Sequence, residues 1–464
     1  MRGLFGGGLD LYKHGFVKAE KGKHYFAYDD GTPFFYLGDT HWTLPVEEID
    51  GIGDVSIEKA QKYGIVSQFK TIMDYRKEQG FTVIQSEPLS WYTGRSGNSF
   101  FGDASGSVWD YGITDDILAK LKQYDRYFAY IAELGFVHCN ATWSYPEELI
   151  ETYLEGKISD KEIENLTRYW VARYGSYPVM WTTTQEGDGS YYGYNGCTLE
   201  NNPWLLVMES LSKYDAYHHP TTCHQENPYT VDNENSPFVN SKEHDWFAAQ
   251  YSVNKYDNGN VNWDYMKFYY NSDKPSVNYE GSYTNYWTGP FGNRTQAWTT
   301  YLNGMTGYGY GIQPIWSIVW ASYGEHSEVS DSRETYSCDA DWIDGLYSST
   351  SDQMILLKNL LEKYEWWELV PCFDDSDYYK NEGVTNYSVA MIENKLYIAY
   401  FWGRDNKNLG SFQKMEEGLY NVKWLNVCTG NIETDFGIVV SDGSFTIPQK
   451  PDGNDWVLIV EKAK

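Results

Sequence analysis

Eight short apolar segments, separated by stretches with helical periodicity, constrain the fold of this chain more than any other feature. They span residues 34–42, 81–89, 136–143, 179–188, 221–227, 246–253, 276–283 and 307–316. Most of them are continuous rather than alternating in hydrophobicity, as expected of parallel strands that are buried on both faces. An alternation of strand and helix repeated eight times is typical of a (β/α)8 barrel. The other fold considered, a doubly wound open sheet, is disfavoured because no glycine-rich phosphate loop follows the first strand.

Glycines and a turn dipeptide support the boundaries of this barrel. The helical stretches before the second and third strands end at Gly80 and Gly135, since glycine commonly terminates helices. The sequence KHYFAYDDGTPFF predicts a hairpin before the first strand, with Asp-Gly as its turn. A last amphipathic helix, SDQMILLKNLLEKYEWW, is predicted to end near Trp367. We therefore assign residues 1–367 to an α/β domain that is a (β/α)8 TIM barrel with an N-terminal hairpin.

The sequence pattern changes after residue 367. Short alternating segments joined by polar or glycine-containing turns follow: TNYSVAMIE, KLYIAYFWG, GLYNVKWLNV, GNIETDF, SFTIPQ and DWVLIVEK. This pattern predicts a small antiparallel β-sandwich over residues 368–464. Because no Pro/Ser-rich linker precedes it, we expect the sandwich to pack tightly on the barrel.

Charge and composition restrict the partners of the chain. Its net charge of −29 disfavours nucleic acid and anionic membrane surfaces as partners. No apolar stretch reaches 18 residues, so no membrane span is expected, and the N-terminus lacks the apolar core of a signal peptide, which predicts a cytoplasmic location. Aromatic residues make up 18%, more than a core requires, and their flat amphipathic rings suit carbohydrate substrates. The sequence does not indicate an oligomeric state.

Two glutamates end strands whose carboxyl ends meet at the mouth of the predicted barrel. Glu186 follows Gln185 in the fourth segment, and Glu280 lies in the seventh. Glycoside hydrolysis uses two carboxyl groups, which are about 5–5.5 Å apart in retaining enzymes. We predict Glu186 and Glu280 as the catalytic pair, with Asp188 as the competing acid/base. Solvent-exposed loop carboxylates are the alternative interpretation.

Polar and aromatic residues at the other strand ends are candidate substrate ligands. The predicted set is Asp39, His41, Trp42, Glu87, Trp91, Asn140, Trp143, Gln185, Asp188, His224, Glu226, Gln250, Tyr251 and Trp316. Tyr251 could orient the nucleophile through its hydroxyl. Structural alternatives remain open: Asp39 as a helix cap, His224 as a core histidine, and Trp316 as core packing.

The sequence predicts neither a metal nor a cofactor. It contains no HExxH motif and no Cys/His cluster suited to zinc. The stretch CDADWIDG resembles the start of a calcium loop, but Ile343 occupies a ligand position and Thr350 replaces the terminal Glu. A serine-hydrolase elbow, GxSxG, is also absent from the sequence.

Several stretches resemble the apiosidase-like glycoside hydrolases, whose barrel is often followed by a collagen-binding-type β-sandwich domain. They are DGTPFFYLGDTHW, YRKEQGFTVIQ, RYGSYPVMW, NYEGSY and YGYGIQPIW in the barrel, and YNVKWLNVCTGNI and DWVLIVEK in the tail. The similarity extends over residues 15–462. It implies a barrel enzyme that hydrolyses apiosidic linkages, with an acid/base on the fourth strand and a nucleophile on the seventh. Family members often have Gly-Gly-Asp where this chain has Gln185-Glu186.

This departure leaves the identity of the sugar open. We expect a retaining exo-acting glycoside hydrolase that releases terminal apiose, the sugar to which the resemblance points, or another furanose, from plant-derived glycosides. A retaining β-glycosidase acting on a pyranose and a non-catalytic carbohydrate-binding protein are the alternatives. Large rings at or just beyond the strand ends predict a narrow pocket around one terminal sugar: Trp42, Trp91, Trp143, Tyr251, Trp287 and Trp316.

Overall fold

The computed structural model describes residues 13–89, 99–103, 106–187, 197, 201–225, 238–251, 260–285, 288–317, 341–404 and 407–463. Three short antiparallel strands come first: β1 (Val17–Lys18), β2 (Phe26–Tyr28) and β3 (Pro33–Phe34). The hairpin predicted around Asp-Gly lies between β2 and β3, and Gly31 adopts a φ of 86° in its turn, a conformation that favours glycine. Phe26 of β2 packs against Trp246 inside the barrel, with ring centroids 5.6 Å apart, so this small sheet closes the N-terminal end of the barrel.

A closed parallel barrel follows. Its strands are β4 (Tyr36–His41), β5 (Val83–Ser86), β8 (Val137–Ala141), β9 (Val179–Thr182), β10 (Thr221–Thr222), β11 (His224–Gln225), β12 (Phe247–Gln250), β13 (Ser276–Glu280) and β14 (Gly307–Tyr310), with a two-stranded ribbon of β6 (Gly102–Asp103) and β7 (Gly106–Ser107) after β5. The sheet order is β10-β9-β8-β5-β4-β14-β13-β12-β11, and every neighbouring pair is parallel. Only Cys223 separates β10 from β11. They are two halves of the fifth strand, and the predicted (β/α)8 barrel is confirmed.

The helices surround this sheet and follow the predicted pattern. They are α1 (Ile57–Lys62), α2 (Gln68–Gln79), α3 (Val108–Tyr111), α4 (Asp115–Glu133), α5 (Pro146–Leu154), α6 (Asp160–Tyr174), α7 (Pro203–Tyr214), α8 (Trp263–Asn271), α9 (Pro290–Leu302), α10 (Gln313–Trp316), α11 (Trp342–Leu346) and α12 (Ser349–Leu361). Gly80 ends α2 in the left-handed conformation, with a φ of 107°, as predicted. Among the described residues, no helix is both long enough and apolar enough to span a membrane.

Three predicted boundaries differ from the structure. The fourth strand ends at Thr182, so Gln185 and Glu186 lie in a turn beyond it. The eighth strand ends at Tyr310, and Trp316 lies on the short helix α10 instead of ending the strand. The last helix, α12, ends at Leu361, and only a 3-10 turn, Trp366–Glu368, follows it.

The C-terminal region contains two antiparallel sheets. Their strands are β15 (Val370–Pro371), β16 (Tyr379–Lys380), β17 (Tyr387–Ile392), β18 (Leu396–Phe401), β19 (Ser411–Gln413), β20 (Gly418–Asn426), β21 (Ile432–Ser441), β22 (Ser444–Thr446) and β23 (Trp456–Lys462). Six strands form one sheet in the order β15-β17-β18-β23-β20-β21, and β16, β19 and β22 form the second. Side chains such as Tyr397, Phe412 and Trp424 fill the core between them. The predicted β-sandwich is confirmed.

The opposite face of the six-stranded sheet packs on the barrel. Ile398 and Tyr400 of β18 belong to the same apolar cluster as Trp298 of α9, and the rings of Tyr400 and Trp298 stack with centroids 5.7 Å apart. Arg294, also on α9, donates from Nε and Nη2 to the two carboxylate oxygens of Asp455, at 2.8 and 2.9 Å. The barrel and the sandwich therefore share a core, whereas the division into domains at residue 367 stays a prediction.

Candidate active site

Glu186 lies in the turn after β9, at the C-terminal mouth of the barrel. Its backbone has a φ of 45°, a region that non-glycine residues seldom occupy. The backbone N–H donates to Nδ1 of His224 at 3.4 Å. On the side chain, Oε1 accepts from Nε2 of Gln250 at 3.2 Å, and Oε2 accepts from the hydroxyl of Tyr145 at 3.5 Å. The turn thus presents a half-buried carboxyl that three neighbouring elements hold in place.

Gly187, the next residue, allows this turn to lie close to the fifth strand. Gly187 has no side chain, and a Cβ at this position would lie 2.6 Å from Cγ2 of Thr184 and 2.7 Å from Sγ of Cys223. Both distances are too short for real atoms. Cys223 is the residue at which the fifth strand is interrupted, so this close approach brings the turn that carries Glu186 against the fifth strand.

Glu280 is the last residue of β13 and is nearly buried, with 5% of its surface exposed. The hydroxyl of Tyr283 is hydrogen-bonded to its carboxyl group. Nε1 of Trp42 donates to the same hydroxyl at 2.5 Å, and the ring of Trp316 stacks on Tyr283 at a centroid distance of 4.5 Å. Since the indole N–H supplies the Tyr283 oxygen with a donor, the phenolic proton points to Glu280 and stabilises its ionised form.

His224 connects the two glutamates. It is fully buried, and this burial lowers the pKa of His224 to about 3, so the ring is neutral. Because Nδ1 accepts the hydrogen bond from Glu186, the proton is assigned to Nε2. Nε2 lies 3.5 Å from Oε2 of Glu280. One uncharged ring thus lies between the two residues, hydrogen-bonded to the backbone of Glu186 and 3.5 Å from the carboxyl group of Glu280.

Two further carboxyl groups extend this acidic cluster in opposite directions. Glu87 lies deeper, with none of its surface exposed, and burial raises the pKa of Glu87 well above its usual range, reinforced by the charges of Glu280 and Glu186. Glu147, at the start of α5, is only half-buried. Burial raises the pKa of Glu147 to about 7, and the neighbouring Glu151 and Glu186 contribute. The four carboxyl groups of Glu87, Glu280, Glu186 and Glu147 thus pass from full burial to partial exposure.

Six of the predicted site residues meet at this centre. They are Glu186, Glu280, Trp42, His224, Gln250 and Trp316. Gln185, in the same turn as Glu186, is buried. The backbone N–H of Tyr251 donates to the carbonyl oxygen of Glu280 at 3.1 Å, while its hydroxyl accepts from the backbone of Asn262 at 2.9 Å. The hydroxyl of Tyr283 makes a contact with Glu280 of the kind that the sequence suggests for Tyr251, whose own contact with the nucleophile stays a prediction.

Asp39 and His41, predicted as sugar ligands at the end of β4, belong to a buried charged network. His41 Nδ1 lies 2.5 Å from Oε1 of Glu47, and its Nε2 lies 3.0 Å from Oδ2 of Asp39. Nε of Arg76, from α2, donates to the same Asp39 oxygen at 2.7 Å. All four residues are almost completely buried. Their contacts support a structural function, and sugar binding by Asp39 or His41 stays a prediction.

Asn140 and Trp143, at the third strand, are also in the protein interior. Nδ2 of Asn140 donates to Oγ of Ser86 and to the hydroxyl of Tyr124, at 3.1 and 2.9 Å. The Trp143 ring packs against Trp170 with centroids 4.6 Å apart and is fully buried. These contacts favour structural over substrate-binding functions for both side chains. Trp91, Asp188, Glu226 and Trp287 lie outside the described residues.

Sequence reasoning missed three residues of this centre. Tyr145 and Glu147 were overlooked because they follow the third strand in a proline-containing stretch, SYPEE, that reads as the beginning of a helix. Their polar side chains after a barrel strand were the available signal. The sequence pattern assigns Tyr283 only to the end of the seventh segment. Among the described residues, no group of three or more His, Cys, Asp or Glu is arranged to hold a metal ion.

Comparison with known protein families identifies the family to which this barrel belongs. A family model described as "Apiosidase-like, catalytic domain" matches residues 20–368. The chain belongs to the apiosidase-like family. This apiosidase-like enzyme is accordingly a glycoside hydrolase, and its substrate is a carbohydrate. The match ends at residue 368, before the β-sandwich.

Solved structures share the fold of the apiosidase-like enzyme at low sequence identity. A protein described as "Glycoside hydrolase" superimposes with a TM-score of 0.69 at 17% identity, and the similarity covers 99% of both chains. A glycoside hydrolase family 5 protein from Bacteroides vulgatus ATCC 8482 gives a TM-score of 0.70 at 19% identity, covering 97% of this chain and 94% of the other. Among curated proteins, none matches the chain. Both structural matches extend over the sandwich, so the two-part architecture recurs in these proteins.

Proposed function

We propose that the apiosidase-like enzyme is a retaining glycosidase in which Glu280 is the nucleophile and Glu186 is the acid/base. The observation that carries this proposal is the junction at His224, whose two ring nitrogens face the backbone of Glu186 and the carboxylate of Glu280. The neutral ring of His224 thus lies between Glu186 and Glu280 and neutralises neither carboxyl group. Their predicted separation of about 5–5.5 Å is the geometry for retention.

The two environments support a division of roles. Glu280 is nearly buried and receives the Tyr283 hydroxyl, which favours the ionised form that a nucleophile needs. Glu186 is more exposed and lies near Glu147, whose negative charge disfavours ionisation of Glu186. An acid/base must exchange protons with leaving group and water, so the more accessible carboxyl suits it. Asp188 remains the alternative acid/base.

The proposed hydrolysis takes place in two steps. In the first, the Glu280 carboxylate attacks the anomeric carbon while the glycosidic C–O bond breaks. Glu186 gives its proton to the departing oxygen, which leaves a glycosyl-enzyme ester and an alcohol. In the second step, Glu186 accepts a proton from water as the water oxygen attacks the anomeric carbon. The ester bond breaks, and the sugar and the Glu280 carboxylate are released.

The proposed substrate is a terminal apiose, or another furanose, on a plant-derived glycoside. Membership of the apiosidase-like family supports this assignment. The Gln185-Glu186 turn, in place of Gly-Gly-Asp, leaves a pyranose as the second candidate. Exo action is proposed because the rings of Trp42 and Trp316 pack around Tyr283, which contacts Glu280, and large rings at the site favour a pocket over an open cleft. The predicted cytoplasmic location stays a prediction.

The test combines substrates and variants. Aryl glycosides of apiose, arabinofuranose, xylose and galactose identify the sugar, and chromatography of the products distinguishes a released monosaccharide from an oligosaccharide ladder. We expect Glu280→Gln to abolish turnover of every substrate. Glu186→Gln should lose activity on alkyl glycosides but keep much of it on glycosides with a good leaving group, which needs no proton. Equal losses on both kinds of glycoside would reassign the acid to another residue.

A further inference from the structure

Glu87 is a buried carboxyl group that the two-glutamate mechanism does not use. It follows β5 and has no exposed surface. Within the described part of the chain, neither of its carboxyl oxygens has a hydrogen-bond partner. Buried polar groups in native proteins are almost always hydrogen-bonded, so this pair of unused oxygens requires an explanation.

The groups around Glu87 provide no compensating charge. The titratable side chains that act on it, or on which it acts, are Glu186, Glu280, Tyr124, Tyr279 and Cys139. All five are acids, and no cation contributes to its electrostatics among the described residues. An ionised Glu87 would add a second negative charge, beside that of Glu280, in a site from which water is excluded, which is strongly unfavourable. The carboxyl group is therefore neutral.

A neutral carboxyl group has a defined recognition chemistry. It carries one O–H donor and one carbonyl acceptor, about 2 Å apart on the same carbon. Adjacent hydroxyl groups of a sugar match this pattern, since one hydroxyl can accept while its neighbour donates. A sugar held at Glu186 and Glu280 comes close to Glu87, because Glu87 lies two residues after Gln85, whose Nε2 donates to the carbonyl oxygen of Tyr279, directly before Glu280, at 2.9 Å.

We propose that Glu87 is a third, protonated carboxyl of the active site, whose O–H and C=O bind two adjacent hydroxyls of the sugar. This inference rests on the proposed function, because it places the sugar between Glu186 and Glu280. It deepens that function by naming a substrate class, namely glycosides whose terminal sugar has a vicinal diol. A sugar that lacks one hydroxyl of the pair would leave one Glu87 oxygen unsatisfied.

Two substitutions of Glu87 distinguish hydrogen bonding by a neutral side chain from a requirement for a negative charge. Glu87→Gln keeps a neutral donor and acceptor, whereas Glu87→Leu removes both. With the aryl glycoside that the wild-type enzyme hydrolyses fastest, we expect kcat/KM of Glu87→Gln to stay within about threefold of wild type, and that of Glu87→Leu to fall about 10-fold to 100-fold, as for the loss of two hydrogen bonds. On the matching monodeoxy glycoside, the two variants should differ much less.

Protonation of Glu87 is measured without any substrate. Infrared difference spectra of wild type and Glu87→Gln at pH 7 should contain the carbonyl stretch of a carboxylic acid, present only in the wild type. Glu87 ionises near 4.5 when unperturbed, so above that pH the unfolded chain loses a proton that the folded chain keeps. The folding equilibrium constant of wild type relative to Glu87→Gln should then fall about tenfold per pH unit until the folded state also ionises.

The following results would overturn the inference that a protonated Glu87 binds the sugar. A missing carboxylic-acid band, or a Glu87→Gln variant as inactive as Glu280→Gln, would show that Glu87 acts as a carboxylate. Full activity of Glu87→Leu would exclude a contact with the sugar. Full activity of Glu280→Gln would instead refute the proposed function, and with it the sugar contact, while the infrared band would still report the protonation state.

Discussion

Glu186 adopts a backbone conformation with a φ of 45°, and a non-glycine residue in this region costs roughly 1–3 kcal/mol. Such strain persists where neighbouring residues hold the backbone in place. Here His224, Gln250 and Tyr145 do so through their hydrogen bonds to Glu186. The residue with this unfavourable backbone is the one assigned to proton transfer. The strain is consistent with a turn selected for placing a carboxyl group and not for local stability.

The hydroxyl group of Tyr283 is expected to stabilise the carboxylate of Glu280, the proposed nucleophile. Tyr283→Phe removes the donor to Glu280 and leaves the Trp42 N–H without its acceptor. We predict a fall in kcat of about 10-fold to 100-fold, the range for a hydrogen bond to a charged group, with little change in KM. Steady-state kinetics measure both constants.

Tyr127→Phe is the matched control for this variant. Tyr127 is also a buried tyrosine, but its hydroxyl donates to the carbonyl oxygens of Pro45 and Glu47. It should lose some stability and keep wild-type kcat. Equal effects of the two variants on kcat would argue against a specific interaction between Tyr283 and Glu280.

Glu147 is expected to set the basic limb of the pH–activity profile. The pKa of Glu147 is raised to about 7 by burial, with further contributions from Glu151 and Glu186. Above that pH its negative charge opposes the ionisation of Glu186, the proposed acid. Glu147→Gln removes this charge, so the decline of kcat/KM at high pH should begin at a lower pH.

Glu155→Gln provides the comparison for Glu147→Gln, because Glu155 caps the C-terminal end of the same helix, α5, and is exposed. Its pH profile should match that of the wild type. A basic limb that is unchanged in Glu147→Gln, or that moves to higher pH, would contradict the coupling of Glu147 to Glu186.

At the scale of elements, α9 is the helix that joins the barrel to the sandwich. Arg294 on this helix and Asp455 form a buried, two-bonded ion pair, and the hydroxyl of Tyr400 also donates to Asp455 at 2.9 Å. Removing one partner of a buried pair leaves an uncompensated charge. Arg294→Met should therefore lower the free energy of unfolding by about 3–5 kcal/mol, measured by urea denaturation.

The control is an exposed ion pair within the sandwich. Lys414 lies 2.7 Å from Asp377, and both side chains are mostly exposed. Lys414→Met should leave the urea midpoint unchanged, since exposed pairs are screened by solvent. A comparable midpoint shift in the two variants would show that Arg294 and Asp455 do not hold the sandwich on the barrel.

The elements also show what sequence patterns can predict. Periodicity and glycine signals located all eight barrel strands, because those signals are local. The apolar pattern predicts GYGYGIQPIW as one strand, although Pro314, one of the first residues of α10, signals a helix start. Strands of two or three residues, such as β15, β16 and β19, are too short to produce a periodic pattern.

The same limit applies to the candidate site. Strand position was sufficient to place Glu186 and Glu280 at the mouth of the barrel, since the carboxyl ends of parallel strands meet there. It did not show that Asp39 and His41 would be engaged by Glu47 and Arg76, because that network joins a strand to side chains from two other segments. Side-chain partners distant in sequence are not encoded in any local pattern.

At the scale of the whole molecule, the barrel is closed at one end and carries the acidic cluster at the other. The β1–β3 sheet fills the N-terminal end with Phe26, while the acidic cluster lies at the C-terminal mouth. The sandwich covers α9 on the side of the barrel, and its buried contacts make it part of the core. Under the proposed function, the C-terminal mouth is where a glycoside meets the two glutamates.

The most direct test of this account is to identify the residue that becomes covalently attached to the sugar. A 2-deoxy-2-fluoro glycoside with a good leaving group, made from the preferred sugar, slows release of the glycosyl-enzyme so that it accumulates. Intact-mass measurement followed by peptide mapping should find one sugar per chain, attached to Glu280, and none on Glu280→Gln. A modified residue other than Glu280, or turnover with inversion at the anomeric carbon and no adduct, would contradict the proposed mechanism.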